Sequence, residues 1–251
     1  MLRFEPLVPK QGQTLVIRVP EGVASDSVRF RDKTYKLYAD TVHGGVRALV
    51  PIPADLAPGR YPLSVGNGAR EVDVRSGAFA VQKIRLPREK DNFIASPGEE
   101  AAVKAAKETV SDKQHWIGHF VKPSGYRTSS QFGLRRMVNG HLLKDYFHSG
   151  LDYAAPLGSP VAATAGGRVI IAEQKGWRLH GNMVAIDHGQ GVVSFYIHLS
   201  KVLVKNGQLV DAGQVIGKVG ATGRASGPHL HFSLYVNGDA TSPSEWYARD
   251  I

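Results

Sequence analysis

The 251-residue sequence contains no cysteine. Disulfide bonds, thiolate metal sites and cysteine nucleophiles are therefore excluded together. Long apolar runs are also missing, so we expect no membrane span, and the first 20 residues lack the apolar core of an export signal. The protein is expected either to stay in the cytosol or to be exported with a signal that this sequence does not contain.

The charge balance is basic, with 31 lysines and arginines against 22 aspartates and glutamates. A net charge of +9 favours polyanionic surroundings such as nucleic acid or bacterial cell wall, although it also fits a simple solubilising surface. The sequence has no helix-turn-helix, zinc-finger or aromatic RNA-binding signature, so we expect no nucleic-acid partner.

Glycine and proline are frequent, with 28 and 14 residues, and helical periodicity is scarce. This composition predicts a mainly β protein with many turns. Residues 1–82 form short alternating segments spaced by about ten residues, which predicts an immunoglobulin-like β-sandwich domain. Residues 125–251 again form β-like segments bounded by glycines, and they make up the second predicted domain.

Residues 83–124 form the predicted linker, which contains one helix over residues 99–110. The run "EEAAVKAAKETV" has high helix propensity. Ser96 is a suitable N-cap, Pro97 suits the first helical position, and Glu99 completes a capping box.

Two histidine motifs carry the chemistry. In "HLHFSLY", His229 and His231 alternate along a predicted strand and project to one face. They fit one metal ligand with a catalytic partner, two ligands, or an ordinary polar strand face. In "HSGLDYAAP", His148 and Asp152 share a face of an extended segment and suit zinc. Two histidines, one aspartate and an open fourth position are typical of catalytic zinc.

The order and spacing of four blocks resemble the lysostaphin-type (M23) metallopeptidase family. The blocks are "FGLRR", "HSGLDYAAPLGSPVAATAGGRV", "NMVAIDHGQGVVSFYIHLS" and "GQLVDAGQVIGKVGATGRASGPHLHFSLY". The resemblance covers roughly residues 125–245 and implies an antiparallel β-sheet metallopeptidase domain with its active site in a groove.

The resemblance also implies the roles of individual residues. His148, Asp152 and His231 are the implied zinc ligands, and His198 and His229 are the implied catalytic residues that activate water or stabilise the oxyanion. The implied reaction is attack of a zinc-bound water on the peptide cross-links of bacterial peptidoglycan. Glycine bridges and D-alanine-containing cross-links both remain open as substrates, and the implied location is periplasmic or extracellular.

For other polar residues the sequence supports less specific predictions. His188 is expected to support the fold near a turn. His180 is expected at the surface, in a loop near the groove. The Arg135–Arg136 pair fits either substrate carboxylates or a solvated basic turn. The segment "MVNGHLLKDYF" is expected to form one wall of the cleft.

Two other functions compete with this reading. One is a non-catalytic relative that binds cell wall or regulates another protein. The other is a lipoyl or biotinyl carrier, which "GQLVDAGQVIGKVGATG" resembles, although no matching lysine motif is present. The N-terminal domain is expected to position the enzyme, to contact a regulatory protein, or to cover the cleft.

Overall fold

A computed structural model describes residues 2–85, 87 and 94–251. The described chain is mainly β with two short helices, which confirms the predicted fold class. No helix in the described ranges is long and apolar enough to cross a bilayer.

The N-terminal strands form two four-stranded sheets, ordered β1-β2-β6-β5 and β4-β3-β7-β8. Their bounds are β1 (Arg3–Glu5), β2 (Thr14–Val19), β3 (Ser27–Phe30), β4 (Lys33–Lys36), β5 (Tyr38–Ala39), β6 (Val46–Pro51), β7 (Gly59–Val65) and β8 (Gly68–Val74). Both sheets contribute to one core, with Leu15 and Ile17 on one side and Val28 and Leu63 on the other. A β-sandwich is thus confirmed, and its likeness to immunoglobulin domains stays a prediction.

A small mixed sheet joins the two halves of the chain. It contains β9 (Val81–Ile84), β11 (Arg135–Val138) and β12 (His141–Phe147), and β9 runs parallel to β11. The proposed domain boundary at residues 82/83 falls inside β9, so the division into domains remains a prediction.

The linker helix α1 spans Glu99–Lys107 and is shorter than predicted. The predicted capping box forms only in part. The Glu99 carboxylate accepts the Ser96 backbone N–H at 2.7 Å, but the Ser96 hydroxyl accepts the Arg178 backbone N–H at 3.0 Å and leaves the helix uncapped. Gly98 therefore enters the helix in the left-handed conformation, which glycine adopts without steric cost.

The C-terminal half forms a ten-stranded sheet whose main order is β10-β13-β20-β17-β16-β15-β18. The bounds are β10 (Thr128–Ser130), β13 (Gly150–Tyr153), β14 (Pro160–Ala162), β15 (Gly167–Trp177), β16 (Gly181–Gly189), β17 (Val192–Val202), β18 (Leu209–Val210), β19 (Val215–Val219), β20 (Leu230–Val236) and β21 (Asp239–Thr241). Helix α2 (Pro243–Ala248), which was not predicted from the sequence, follows the last strand.

The sandwich packs against the C-terminal half through an apolar cluster. Val16 and Leu49 of the sandwich contact a cluster that includes Trp116, Phe120 and Trp246. This contact explains why β2 is apolar on both faces rather than alternating. Among the described residues, Gln82 is the only one of the first 82 that lines the histidine-containing cleft.

Candidate active site

Strand pairing brings the two histidine motifs together. Strands β13 and β20 are antiparallel neighbours, and Asp152 lies directly opposite His231 in their register. Residues that face each other across an antiparallel pair have adjacent side chains on the same face of the sheet. His148 lies just before β13 rather than on it, and its Nε2 atom lies beside the same two side chains.

Three donor atoms converge at this point. His148 Nε2 lies 3.0 Å from Asp152 Oδ1 and 3.0 Å from His231 Nδ1, and His231 Nδ1 lies 2.8 Å from Asp152 Oδ1. All three residues are buried, and they form a group that could hold a metal ion.

The donor set fits a metal in its chemistry. His148 Nδ1 donates a hydrogen bond to the Gln131 carbonyl at 2.7 Å, which leaves the Nε2 lone pair facing the other two donor atoms. Two imidazoles and one carboxylate are the ligand types that zinc takes in catalytic sites. A cation at this point would separate three electron-rich atoms that otherwise face one another.

Burial and charge set the protonation of the group. Burial raises the pKa of Asp152, but the adjacent His148 and His231 rings outweigh it, so its pKa lies well below the usual range. Burial lowers the pKa of His231 to about 4 despite the neighbouring carboxylate. At neutral pH the group therefore presents a carboxylate and a neutral His231 imidazole, the forms that bind a metal.

Arg136 supports the aspartate from outside the group. Its guanidinium donates to Asp152 Oδ2 at 3.2 Å, which leaves Oδ1 for the two histidines. Of the two alternatives for the Arg135–Arg136 pair, the solvated basic turn was wrong, because both residues lie in β11 and Arg136 lines the cleft. The hairpin of β11 and β12 forms one wall, as predicted, with Tyr146 also lining it.

Two further histidines stand beside the three donors. The rings of His198 and His229 have centroids 4.9 Å apart, and His229 Nε2 lies 4.0 Å from Asp152 Oδ1. His198 Nδ1 donates to the Thr222 carbonyl at 2.8 Å, and His229 Nδ1 donates to the Gly227 carbonyl at 2.9 Å. Because backbone carbonyls only accept, both rings carry a proton on Nδ1 and, when neutral, a free lone pair on Nε2.

The histidines border an open cleft of about 530 Å³. Three cationic side chains line it, whereas Asp152 is the only carboxylate among its described lining residues. The cations are Lys107, Arg136 and Arg224. The cleft therefore has a basic wall around a deep cluster of imidazoles.

All five predicted site residues lie together in the structure, and the positions of His188 and His180 can be compared with their predictions. His188 lies elsewhere, where its ring is bonded to the Gly166 carbonyl and to Ser194 Oγ at 2.7 Å each, in line with a supporting role. The expectation of a surface position for His180 was wrong: it is only partly exposed, lines the cleft, and is bonded to Glu99.

Glu99 and Thr222 also contribute to the site, and no sequence motif predicted their roles. Thr222 lies in the turn before the "HLH" strand, and its carbonyl and hydroxyl bind His198 Nδ1 and the Asn182 backbone N–H. The signal for Glu99 was its position three residues after Ser96, which suggested only a helix cap.

Comparisons with known proteins point to one peptidase family. The model of peptidase family M23 matches residues 146–243. A crystal structure of a candidate M23 peptidase from Pseudomonas aeruginosa is 30% identical, with a TM-score of 0.73 over 98% of this chain and 96% of that one.

Two curated relatives each match about half of the chain. The DD-carboxypeptidase/endopeptidase Mpg of Neisseria meningitidis is 43% identical over 127 residues, or 50% of this chain and 28% of the relative. The peptidoglycan DD-endopeptidase ShyA of Vibrio cholerae is 44% identical over 117 residues, or 46% of this chain and 26% of the relative. The matched segment thus spans about a quarter of each relative's length. Because the chain is similar to the Pseudomonas structure over nearly its whole length and also matches the family model, it belongs to peptidase family M23.

Proposed function

We propose that the protein is a zinc-dependent endopeptidase that hydrolyses peptide cross-links of bacterial peptidoglycan. The observation that carries the proposal is the convergence of His148 Nε2, Asp152 Oδ1 and His231 Nδ1 beside two more imidazoles in an open cleft. The names of the relatives Mpg and ShyA favour the D,D cross-link over a glycine bridge.

His148, Asp152 and His231 would hold the zinc ion. When bound, zinc supplies a Lewis acid that polarises a peptide carbonyl and lowers the pKa of a water molecule. Arg136 holds Asp152 through Oδ2, and the Gln131 carbonyl fixes the His148 tautomer. Such outer contacts orient the ligand atoms and set their basicity.

His198 and His229 would handle the protons. Burial and the nearby His229 and His231 keep the pKa of His198 well below its usual value, so its Nε2 is free to accept a proton at neutral pH. A base that takes the proton from water and returns it to the leaving amine fulfils both steps of peptide hydrolysis. The Nδ1 bonds to backbone carbonyls keep both rings oriented while a proton is held at Nε2.

The cleft suits an acidic peptide. Its three cationic side chains outnumber the single carboxylate among the described lining residues, and that carboxylate is assigned to the metal. Peptidoglycan peptides carry carboxylates, so the basic wall would attract them. We therefore place the reaction outside the cytoplasm, in the periplasm or beyond it, where peptidoglycan lies. A regulatory protein that contacts the N-terminal sandwich stays a proposal.

Digestion of purified cross-linked muropeptides tests the function. The zinc-loaded protein should split a D,D-cross-linked dimer into two monomers, with one water added across the bond, as identified by mass spectrometry. His231→Ala should abolish both zinc binding and cleavage, and His198→Asn should keep zinc and lose cleavage.

The same experiment separates the alternatives. A protein that binds one zinc and cleaves neither the D,D-linked dimer nor a glycine-bridged one is the non-catalytic relative. A protein with no zinc and no cleavage contradicts the proposal outright. Cleavage of the glycine-bridged dimer alone would reassign the bond and keep the peptidase.

A further inference from the structure

The turn between β15 and β16 is held by residues at the start of α1. Three successive backbone N–H groups of this turn donate to α1-side acceptors: that of Arg178 to Ser96 Oγ at 3.0 Å, and those of Leu179 and His180 to Glu99 Oε1 at 3.1 and 2.8 Å. The His180 ring adds a fourth bond, from Nδ1 to the same oxygen at 2.7 Å. The groups that would ordinarily cap the helix are thus used to hold a loop.

Glu99 is placed to make this contact rigid. Its side chain is fully buried, and its second oxygen accepts the Ser96 backbone N–H. Val103 and Ala106 anchor α1 in an apolar cluster against the sheet. A buried carboxylate is costly unless its oxygens are hydrogen-bonded, and here both of them are. The carboxylate therefore connects a fixed helix to the loop.

The same loop is hydrogen-bonded to residues of the active site. The His180 carbonyl accepts the His198 backbone N–H at 2.9 Å, and the Leu179 carbonyl accepts the Arg224 backbone N–H at 3.0 Å. His198 has a φ of 65°, a left-handed conformation that costs free energy for a residue with a side chain. Such a conformation persists only where neighbouring bonds fix it, and the bond to His180 is one of them.

We propose that Glu99 is a positioning residue for the reaction: by binding residues 179 and 180 it fixes the backbone of His198 and the cleft wall formed by Leu179 and His180. The inference rests on the proposed peptidase function. Glu99 and Ser96 both lie outside the segment that matches the family model, which begins at residue 146. The linker helix is thus assigned a part in the active site although it contributes no reacting group.

Glu99→Gln in the full-length, zinc-loaded protein tests the inference. Glutamine has the same shape, but it lacks the charge and offers one acceptor oxygen where the carboxylate offers two. We expect kcat to fall about tenfold with KM changed less than about threefold, because the reacting histidine shifts whereas Lys107 and Arg136 lie on α1 and β11, outside the loop. Ser96→Ala, which removes only the bond to Arg178, should lower kcat by roughly threefold at most.

Glu100→Gln is the matched control, since it makes the same change at the next, exposed position of the same helix. It should leave kcat within twofold of the wild type. All rates are expressed per folded, zinc-loaded chain, from the zinc content and the unfolding midpoint. A role in stability alone would lower the folded fraction and leave the rate per loaded chain unchanged, and that result would overturn the inference.

Histidine resonances give a readout that needs no catalysis. In ¹⁵N-histidine spectra, Glu99→Gln should shift the imidazole signals of both His180 and His198, and Glu100→Gln should shift neither. If the wild type hydrolyses nothing, the proposed function fails while the spectra still test the connection from Glu99 to His198. Unmoved His198 signals, or a Glu99→Gln kcat within twofold of the wild type, would refute the positioning role.

Discussion

Gly150→Ala should separate the two strands that carry the proposed metal ligands. Gly150 lies on β13 opposite Ser233 of β20, two residues before Asp152. A Cβ atom at this position would lie 2.0 Å from the Phe232 carbonyl oxygen, about 1.4 Å short of the 3.4 Å at which ordinary contact begins. Neighbouring backbone has no flexible end that can turn aside, so the strands must move apart.

The movement has a cost in stability and in metal affinity. Overpacking of this kind lowers the free energy of unfolding by about 1–3 kcal/mol. Because Asp152 and His231 lie on the two separated strands, we expect the zinc dissociation constant to rise roughly 10- to 100-fold. Each tenfold weakening removes about 1.4 kcal/mol from the stabilisation that zinc gives the folded state.

Two assays measure these effects. Urea unfolding of the zinc-free protein gives the loss of intrinsic stability, and competition with a chromophoric chelator gives the zinc affinity. Gly125→Ala is the control, because a Cβ there meets nothing within 4 Å and the backbone is not left-handed. A Gly150→Ala protein that matches the control in both assays would show that this close strand contact does not hold the ligands together.

Three further predictions follow from other parts of the structure. Burial raises the pKa of Glu245 from 4.5 to about 7. Ionising this carboxyl in the folded protein therefore costs roughly 3 kcal/mol more than in the unfolded chain, and this part of the free energy of unfolding is lost as pH rises from 4.5 to 7. The unfolding free energy should accordingly fall between pH 4.5 and 7, and Glu245→Gln should remove that part of the fall; an identical pH profile for the variant would refute the assignment. Arg136→Met should weaken zinc binding about tenfold in the chelator competition by freeing Asp152 Oδ2, and unchanged affinity would contradict the supporting role. Deletion of residues 1–78 should expose the apolar cluster around Trp246 and lower the unfolding midpoint without raising the rate per folded chain, whereas a higher rate would restore the idea that the sandwich covers the cleft.

Much of the site was predictable because its residues lie in short motifs with a fixed geometry. The spacing of His148 and Asp152 predicted one metal-binding group, although His148 lies just before β13 and not on a shared strand face. The register of β13 and β20 then brings Asp152 opposite His231. The family resemblance then supplied roles for the remaining two histidines. Such local patterns are readable because each depends on only a few consecutive residues.

The missed features depend on contacts between distant segments. Glu99 and His180 are 81 residues apart, and the sequence around Glu99 reads as an ordinary helix cap. Capping groups and loop anchors use the same side chains, so only the tertiary structure shows which backbone N–H groups they bind. In the same way, β2 is apolar on both faces because it packs against a second half of the chain, which its own sequence does not reveal.

The position of bound zinc tests the central claim most directly. Crystals of the zinc-loaded protein, measured on either side of the zinc absorption edge, should give one anomalous peak per chain within about 2.3 Å of His148 Nε2, Asp152 Oδ1 and His231 Nδ1. A peak bound by other residues, or no peak in protein that has been exposed to zinc, would contradict the account.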